Sequence, residues 1–482
     1  MYDEIKRVDI AIIGTGTAGM GAYREARKFS NNIALIEGGE YGTTCARVGC
    51  MPSKLLIAPA EARHHAKVFQ QFGLNVGVPE VMGSVLMERV KNERDRFVDF
   101  VKEDIDEFEP EHRIQAYAKF IDDHTLALSN GQILTAERIV IATGSKPHIP
   151  EILKAAEDLL ITNDDVFDWH DLPTSVAVFG AGVIGLELGQ ALHRLGVNVH
   201  LFGARNSVGP LTDPMVKDYA INNFKAEFPF HSASETHAIK RVGDGVEVTF
   251  SSTPDSEEQI HVFDYLLAAT GRRANIDNLG LENTTLVRDE RGIPVYDQLS
   301  MQCGSSHIFI AGDVNGDLPL LHEASDEGRL AGENAGRYPE VFKRARKVPL
   351  GIVFSDPQIA TVGKSYAELL QSGYKFVVGE VSFENQGRAR VMLVNKGLMR
   401  LYGDRESGCL LGAEMIGPRH EHLAHLLAWV IQLRMTVSEV LQMPFYHPVI
   451  EEGLRTGLRV LLKEMGMGPQ PPLNCIDCGP GA

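Results

Sequence analysis

Apolar residues along this chain fall into short runs separated by glycine-rich turns and amphipathic stretches. VDIAII at 8–13 is a run of strand length, and Gly14, Gly16 and Gly19 follow it before a helix-like segment. NIALIE, ending at Glu37, is a second such run. The pattern then recurs: VAVF at 176–179 precedes Gly180, Gly182 and Gly185, and ELGQALHRLG follows. Each unit later reaches an apolar strand that ends in Ala-Thr-Gly. The first is RIVIATGSKP, with Thr143 and Gly144; the second is YLLAATGRRAN, with Thr270 and Gly271. A further strand, HIFIAGD, ends at Gly312 and Asp313. A continuous apolar run suits a strand covered on both faces, and strand, glycine turn, helix, strand is the βαβ unit of a parallel sheet. Its repetition predicts an α/β protein with two nucleotide-binding units, one inserted into the other.

Between the units, Val90, Phe97, Val101, Ile105 and Phe108 share one face of an amphipathic helix. Beyond residue 346 the texture changes. VPLGIVF, KFVVGEVSFE and GLMRLYGD read as antiparallel strands, and HLAHLLAWVIQLR as a well-buried helix, which makes a third, α+β domain. The last residues, MGMGPQPPLNCIDCGPGA, read as a flexible tail rich in Pro and Gly.

Length and composition narrow the function. The 482 residues suit about three domains. With 44% hydrophobic and 23% charged residues the chain is neither disordered nor membrane-like. It carries 47 Lys+Arg against 64 Asp+Glu, a net charge of -17, with no dense basic tract. Nucleic acid and anionic membranes are therefore poor partners. No apolar run nears the ~20 residues needed to span a bilayer. The opening MYDEIKRVDIAIIG enters a strand directly, without a signal-peptide core, so the expected location is cytoplasmic. The six cysteines are Cys45, Cys50, Cys303, Cys409, Cys475 and Cys478. They are too few for a disulfide scaffold, so the two close pairs read as redox or metal groups.

Gly14-x-Gly16-x-x-Gly19 has the spacing of a dinucleotide fingerprint: a tight turn, close backbone approach to a pyrophosphate, and helix–strand packing. Glu37, 23 residues after Gly14, is placed to accept hydrogen bonds from ribose hydroxyls. In the second unit the equivalent position is Gly203, with Arg205 just beyond. Losing the carboxylate and gaining an Arg leans toward the 2′-phosphate of NADP; an Arg205 that merely lies on the surface would leave NAD in place.

Cys45 and Cys50 stand in GTTCARVGCMPSK. Along a regular helix five residues rise about 7.5 Å, beyond the disulfide Cα separation of about 4.4–6.8 Å. A bond between them requires a distorted turn, and a strained local bridge is the reducible kind. Pro52 would start or kink the following helix. The metal reading is weaker, because no second close His/Cys pair completes a tetrahedral set.

GTTCARVGCMPSK closely resembles the active-site segment of the flavin-dependent pyridine nucleotide–disulfide oxidoreductases, most of all their dihydrolipoamide dehydrogenase branch. Both fingerprints, ATGSKP, ATGRRAN, IFIAGD and FYHPVIEE extend the resemblance over almost the whole chain. It implies two Rossmann-like dinucleotide-binding domains plus a C-terminal α+β dimerisation domain. FAD would lie on residues 1–150, NAD or NADP on 151–272, with 273–346 returning to the flavin. Residues 347–466 would form a homodimer interface, and 467–482 the tail. The FAD site would use Gly14, Gly16, Gly19 and Glu37, then Thr43, Thr44, Lys54 and Ala118, and finally Thr143, Gly144, Gly312 and Asp313, the last on the ribityl chain. The nicotinamide nucleotide would use Gly180, Gly182, Gly185, Arg205 and Gly271. Cys45 would exchange with the substrate dithiol and Cys50 would form the thiolate against the flavin. Lys54 would lie near flavin N5 and pair with Glu187, which lowers the cost of burying either charge.

His447 and Glu452 in FYHPVIEEG form a candidate general base, the carboxylate holding the imidazole's tautomer. The resemblance implies that His447 serves Cys45 of the other subunit. Val449 stands where Thr is usual. His420, His422 and His425 do not fit HExxH and read as helix packing or surface; His64 and His65 are assigned nothing. No resident metal is expected. The tail pair Cys475 and Cys478 either relays electrons or binds a soft metal, or stays inert and reduced, and the inert reading is preferred.

The leading expectation is an FAD-dependent oxidoreductase passing electrons between a dihydrolipoamide-like dithiol, free or lipoyl-bound, and NAD(P). The alternative is an NADPH-dependent reductase of another disulfide or of a metal ion. Val183, where glutathione reductases usually have Tyr, argues against glutathione. A flavin-loaded sensor without turnover is the third reading.

Overall fold

The computed structural model describes residues 5–467. Three large sheets and two small ones organise them. The first runs Arg113–Gln115, Ile33–Glu37, Ile5–Ile13, Ile133–Ile141, Thr125–Leu128, Ala118–Phe120, and Ile308–Ile310 adds beside Ile133–Ile141. Its central strands are parallel, with Ile10 opposite Ile33 and Arg138, and Ile308 opposite Ile139. The chain thus leaves this sheet and returns to it late. The returning helix Leu321–Arg337 lies against Thr17–Ala26. A Cβ on Gly328 or Gly332 would come within 2.2 Å of the carbonyl of Ala18 or Ala22, so only glycine permits that approach.

The second sheet holds Phe230–His231, Asn198–Phe202, Ser175–Phe179, Tyr265–Ala268 and Leu160–Ile161, all parallel. Ser175–Phe179 is buried at every position, which is why it reads as an unbroken apolar run. A three-stranded antiparallel sheet, Glu235–Val242, Gly245–Ser251 and Glu258–Phe263, covers one face. Ser145–Pro147 pairs with Arg272–Ala274 where the two units meet.

The third sheet is antiparallel, in the order Leu350–Val353, Gln358–Gly363, Leu410–Gly417, Leu398–Asp404, Phe376–Ser382. It has five strands, where the sequence suggested three. The helix His420–Gln432 buries Leu423, Ala424, Leu427 and Ala428 but leaves Trp429 exposed. It is therefore one-sided rather than buried throughout. In the helix Gly83–Asp106 the buried stripe is Met87, Val90, Val98 and Ile105; Val98, not Phe97, faces inward. Among the described residues no helix is long and apolar enough to cross a membrane. Cys475 and Cys478 lie outside the described residues.

Candidate active site

The two glycine turns are built alike. Gly14 and Gly180 have φ of 109° and 114°, and a Cβ on either would strike the carbonyl of Ala142 or Ala269 at 2.3 and 2.2 Å. Gly19 and Gly185 press on Gly14 and Gly180, where a Cβ would stand 1.9 and 1.8 Å from the carbonyl oxygen. A Cβ on Gly16 or Gly182 would meet nothing within 4 Å. The middle glycine of each turn therefore borders open space, not protein. Both following helices, Thr17–Ala26 and Val183–Leu195, begin there without a side-chain cap. Uncapped N–H groups beside that space suit a pyrophosphate, so the residues fit a dinucleotide at each turn.

Glu37 ends its strand with Oε2 accepting from the N–H and hydroxyl of Thr15, both at 2.8 Å, and Oε1 accepting from Gly39 N–H at 2.9 Å. A carboxylate has about four acceptor sites, so one remains for a ribose hydroxyl. Asp313 Oδ2 accepts from the Ser145 hydroxyl at 2.8 Å, and Arg272 donates to Ser145 Oγ and O, each at 2.8 Å. Ser145 and Arg272 were not singled out in the sequence, although they stand in ATGSKP and ATGRRAN; neither is a residue type that signals chemistry by itself. Ala118 opens the strand Ala118–Phe120, two residues after Ala116, whose N–H donates to Glu37 O. Gly144 and Gly271, with φ of 68° and 102°, also border open space. Gly203 packs against Ala181 and Ser232. Arg205 is exposed, with φ of 56°.

Thr43 caps the short helix Thr44–Val48, its hydroxyl accepting from Ala46 N–H at 3.2 Å. Thr44 itself is exposed. Gly49, at φ −123° and ψ −117°, interrupts the path, and the helix Cys50–Ala66 then begins, with Pro52 in its first turn. This is the distorted turn that five-residue spacing requires. A Cβ at position 49 would lie 2.9 Å from Thr44 O and 3.2 Å from Cys45 Cα. Both thiols are unbonded, Cys45 half-buried and Cys50 exposed. The Cys45 thiol hydrogen-bonds to Cys50 and, with the Lys54 charge, brings Cys50 down to about 7; the same hydrogen bond, with Cys45 as donor, pushes Cys45 up. Cys50 is thus the sulfur that ionises first.

Lys54, one turn after Cys50, pairs with Glu187 Oε2 at 2.7 Å. Glu187 comes from Val183–Leu195 and is buried, with its Oε1 accepting from Phe354 N–H at 2.9 Å. His447 Nδ1 lies 3.0 and 3.2 Å from the Glu452 oxygens, and Glu452 also accepts from Val449 N–H and Arg455. With its proton on Nδ1, the ring keeps Nε2 as an acceptor. His447 is exposed at the end of the third domain, and among the described residues Glu452 is its hydrogen-bonding partner.

A family model for pyridine nucleotide-disulphide oxidoreductases matches residues 8–328, and the dimerisation-domain model of the same family matches residues 350–457. The chain belongs to the pyridine nucleotide-disulphide oxidoreductase family. Members of this family bind FAD and use NAD(P). The oxidoreductase is similar to dihydrolipoyl dehydrogenase of Thermus scotoductus, 29% identical over 465 residues, 95% of this chain and 98% of that protein. It is also similar to mercuric reductase of Streptomyces lividans, 30% identical over 452 residues, 92% of this chain and 93% of that protein. Its fold matches LpdA of Mycobacterium tuberculosis with a TM-score of 0.79 at 22% identity, over 94% of this chain and 99% of that one. It also matches a Cu(II) complex of RclA, the HOCl-induced flavoprotein disulfide reductase of Escherichia coli, with a TM-score of 0.78 at 23% identity, over 94% of this chain and 99% of that one.

Proposed function

We propose that this oxidoreductase oxidises a dihydrolipoamide-like dithiol and delivers the electron pair to NAD(P), working as a homodimer. The observation that carries the reading is the cysteine pair split by Gly49, with Cys50 brought toward its thiolate and the Lys54–Glu187 pair one turn behind it. His447, oriented by Glu452, takes a proton from one substrate thiol and passes it to solvent. The resulting thiolate attacks Cys45 Sγ of the oxidised pair. A substrate–Cys45 bond forms, the Cys45–Cys50 bond breaks, and Cys50 leaves as a thiolate beside Lys54. His447 then takes the second thiol proton. That thiolate displaces Cys45, the substrate closes to its disulfide, and Cys45 receives the proton from His447. FAD, when bound, supplies the two-electron acceptor for the reduced pair and the hydride donor to the nicotinamide nucleotide. Gly14, Gly16, Gly19, Glu37 and Asp313 would hold it, while Gly180, Gly182 and Gly185 would hold NAD(P). His447 would serve Cys45 of the partner subunit.

Steady-state rates with dihydrolipoamide and NAD or NADP, and with NADPH against lipoamide, glutathione, Hg²⁺ and Cu²⁺, test this. Turnover of dihydrolipoamide supports it; NADPH oxidation driven by a metal ion, with no lipoamide activity, overturns it.

The second reading, an NADPH-driven reductase of another disulfide or a metal ion, draws support from Gly203 and Arg205. It also draws on the similarity to a mercuric reductase and to RclA, whose structure was determined with Cu(II).

A further inference from the structure

The third domain reaches the helix that carries Cys50. Immediately after the strand Leu350–Val353, Phe354 donates its N–H to Glu187 Oε1 at 2.9 Å and sets its ring 4.5 Å from Lys54 Nζ. The ammonium is therefore held by the Glu187 carboxylate at 2.7 Å, by the Ser53 hydroxyl at 3.3 Å and by an aromatic face. A lysine stem is long and flexible, and Ser53 is its own chain neighbour; the negative face of the ring is a further, directional hold supplied by another domain.

The residues after Phe354 keep it from drifting. Asp356 N–H donates to Gln190 Oε1 and Asp356 O accepts from Gln190 Nε2, both at 2.8 Å. Arg194 pairs with Asp356 Oδ2 at 2.8 Å while also binding Glu227. Glu187, Gln190 and Arg194 share one face of the helix Val183–Leu195, so a single seam from the second unit grips the loop of the third.

We propose that Phe354 is a positioning residue for Lys54, holding its ammonium on the Cys50 side of the active-site helix, so that the third domain sets the charge felt by the flavin-side sulfur. This rests on the roles given above to Cys50 and Lys54, which stand four residues apart and so share a helix face. Apart from burial, which opposes the thiolate, and its own backbone N–H, the groups acting on Cys50 are the Cys45 thiol, the Lys54 ammonium and the Glu187 carboxylate. Of these, only Lys54 touches the Phe354 ring, while Glu187 takes the Phe354 backbone N–H, which survives any substitution other than proline.

The test is a pH titration of the long-wavelength thiolate-to-flavin band in the two-electron-reduced holoenzyme. In Phe354→Leu the midpoint should rise by roughly half a pH unit, a roughly threefold smaller thiolate fraction below neutrality, and Phe354→Tyr should restore it. Rates of thiol alkylation give a second measurement of the same midpoint. Trypsin cuts after Arg47 and so places Cys45 and Cys50 on separate peptides. A merely structural role would lower stability and leave the midpoint in place. Lys54→Met controls the underlying reading and should move the midpoint further in the same direction. If Lys54→Met moves it and Phe354→Leu does not, the inference is overturned. If neither moves it, the role given to Lys54 falls too. Should Phe354→Leu not fold, Phe354→Met removes the same aromatic face.

Discussion

At the residue scale, the chemistry rests on side chains whose surroundings assign them different tasks. His447→Gln keeps an amide donor toward Glu452 but removes the acceptor at the free edge of the ring. It should lower kcat by about 10²–10⁴ and leave flavin content and the Cys50 titration unchanged, as stopped-flow and absorbance measurements would show. His420 is the contrasting case. It is wholly buried, neither ring nitrogen has a hydrogen-bond partner among the described residues, and burial holds it down to about 3. The unfolded chain takes up this proton as pH falls through 6.5, whereas the folded chain does not until about 3. Stability is therefore complete above 6.5 and is lost by about 1.4 kcal/mol for each pH unit below it. His420→Leu should raise stability at pH 8 by about 1 kcal/mol and flatten the acid limb, as denaturant titrations across pH 4–8 would read. The reactive sulfurs and the His–Glu base could be singled out from the sequence because their residue types announce chemistry. Phe354 could not: its contribution is a ring face and a backbone N–H, and nothing in VPLGIVF distinguishes it from a core residue.

At the element scale, the glycine spacing carried over into matched turns because each glycine answers a steric demand that the sequence records. Gly19→Val would push a side chain into Gly14 O, and Gly185→Val would do the same at Gly180 O. The first should yield colourless protein. The second should yield yellow protein that binds no nicotinamide nucleotide, a contrast read by absorbance and by nucleotide titration. What was less legible follows the same logic. Gln358–Gly363 and Leu410–Gly417 lack the alternation of apolar and polar residues that announces a half-covered strand. The outer side of His420–Gln432 carries Leu426, Trp429 and Val430 among His422, His425 and Gln432, and these apolar residues make the helix read as buried on more than one side.

At the scale of the whole molecule, the proposed site takes its nucleophile from one subunit and its base from the other. Cys45→Ser and His447→Gln should each be inactive as homodimers. Co-expressed, they should form mixed dimers with one intact site of two, recovering roughly a quarter of wild-type activity; recovery of none would place both groups in one chain. The route of the backbone has a further consequence. Every strand of the second parallel sheet lies between residues 160 and 268, whereas the first sheet closes only when Ile308–Ile310 slots beside Ile133–Ile141 and Leu321–Arg337 covers Thr17–Ala26. A ribosome therefore finishes the middle of this protein before its beginning. During synthesis the amino-terminal strands must wait, incomplete, while a self-sufficient nucleotide fold matures downstream of them.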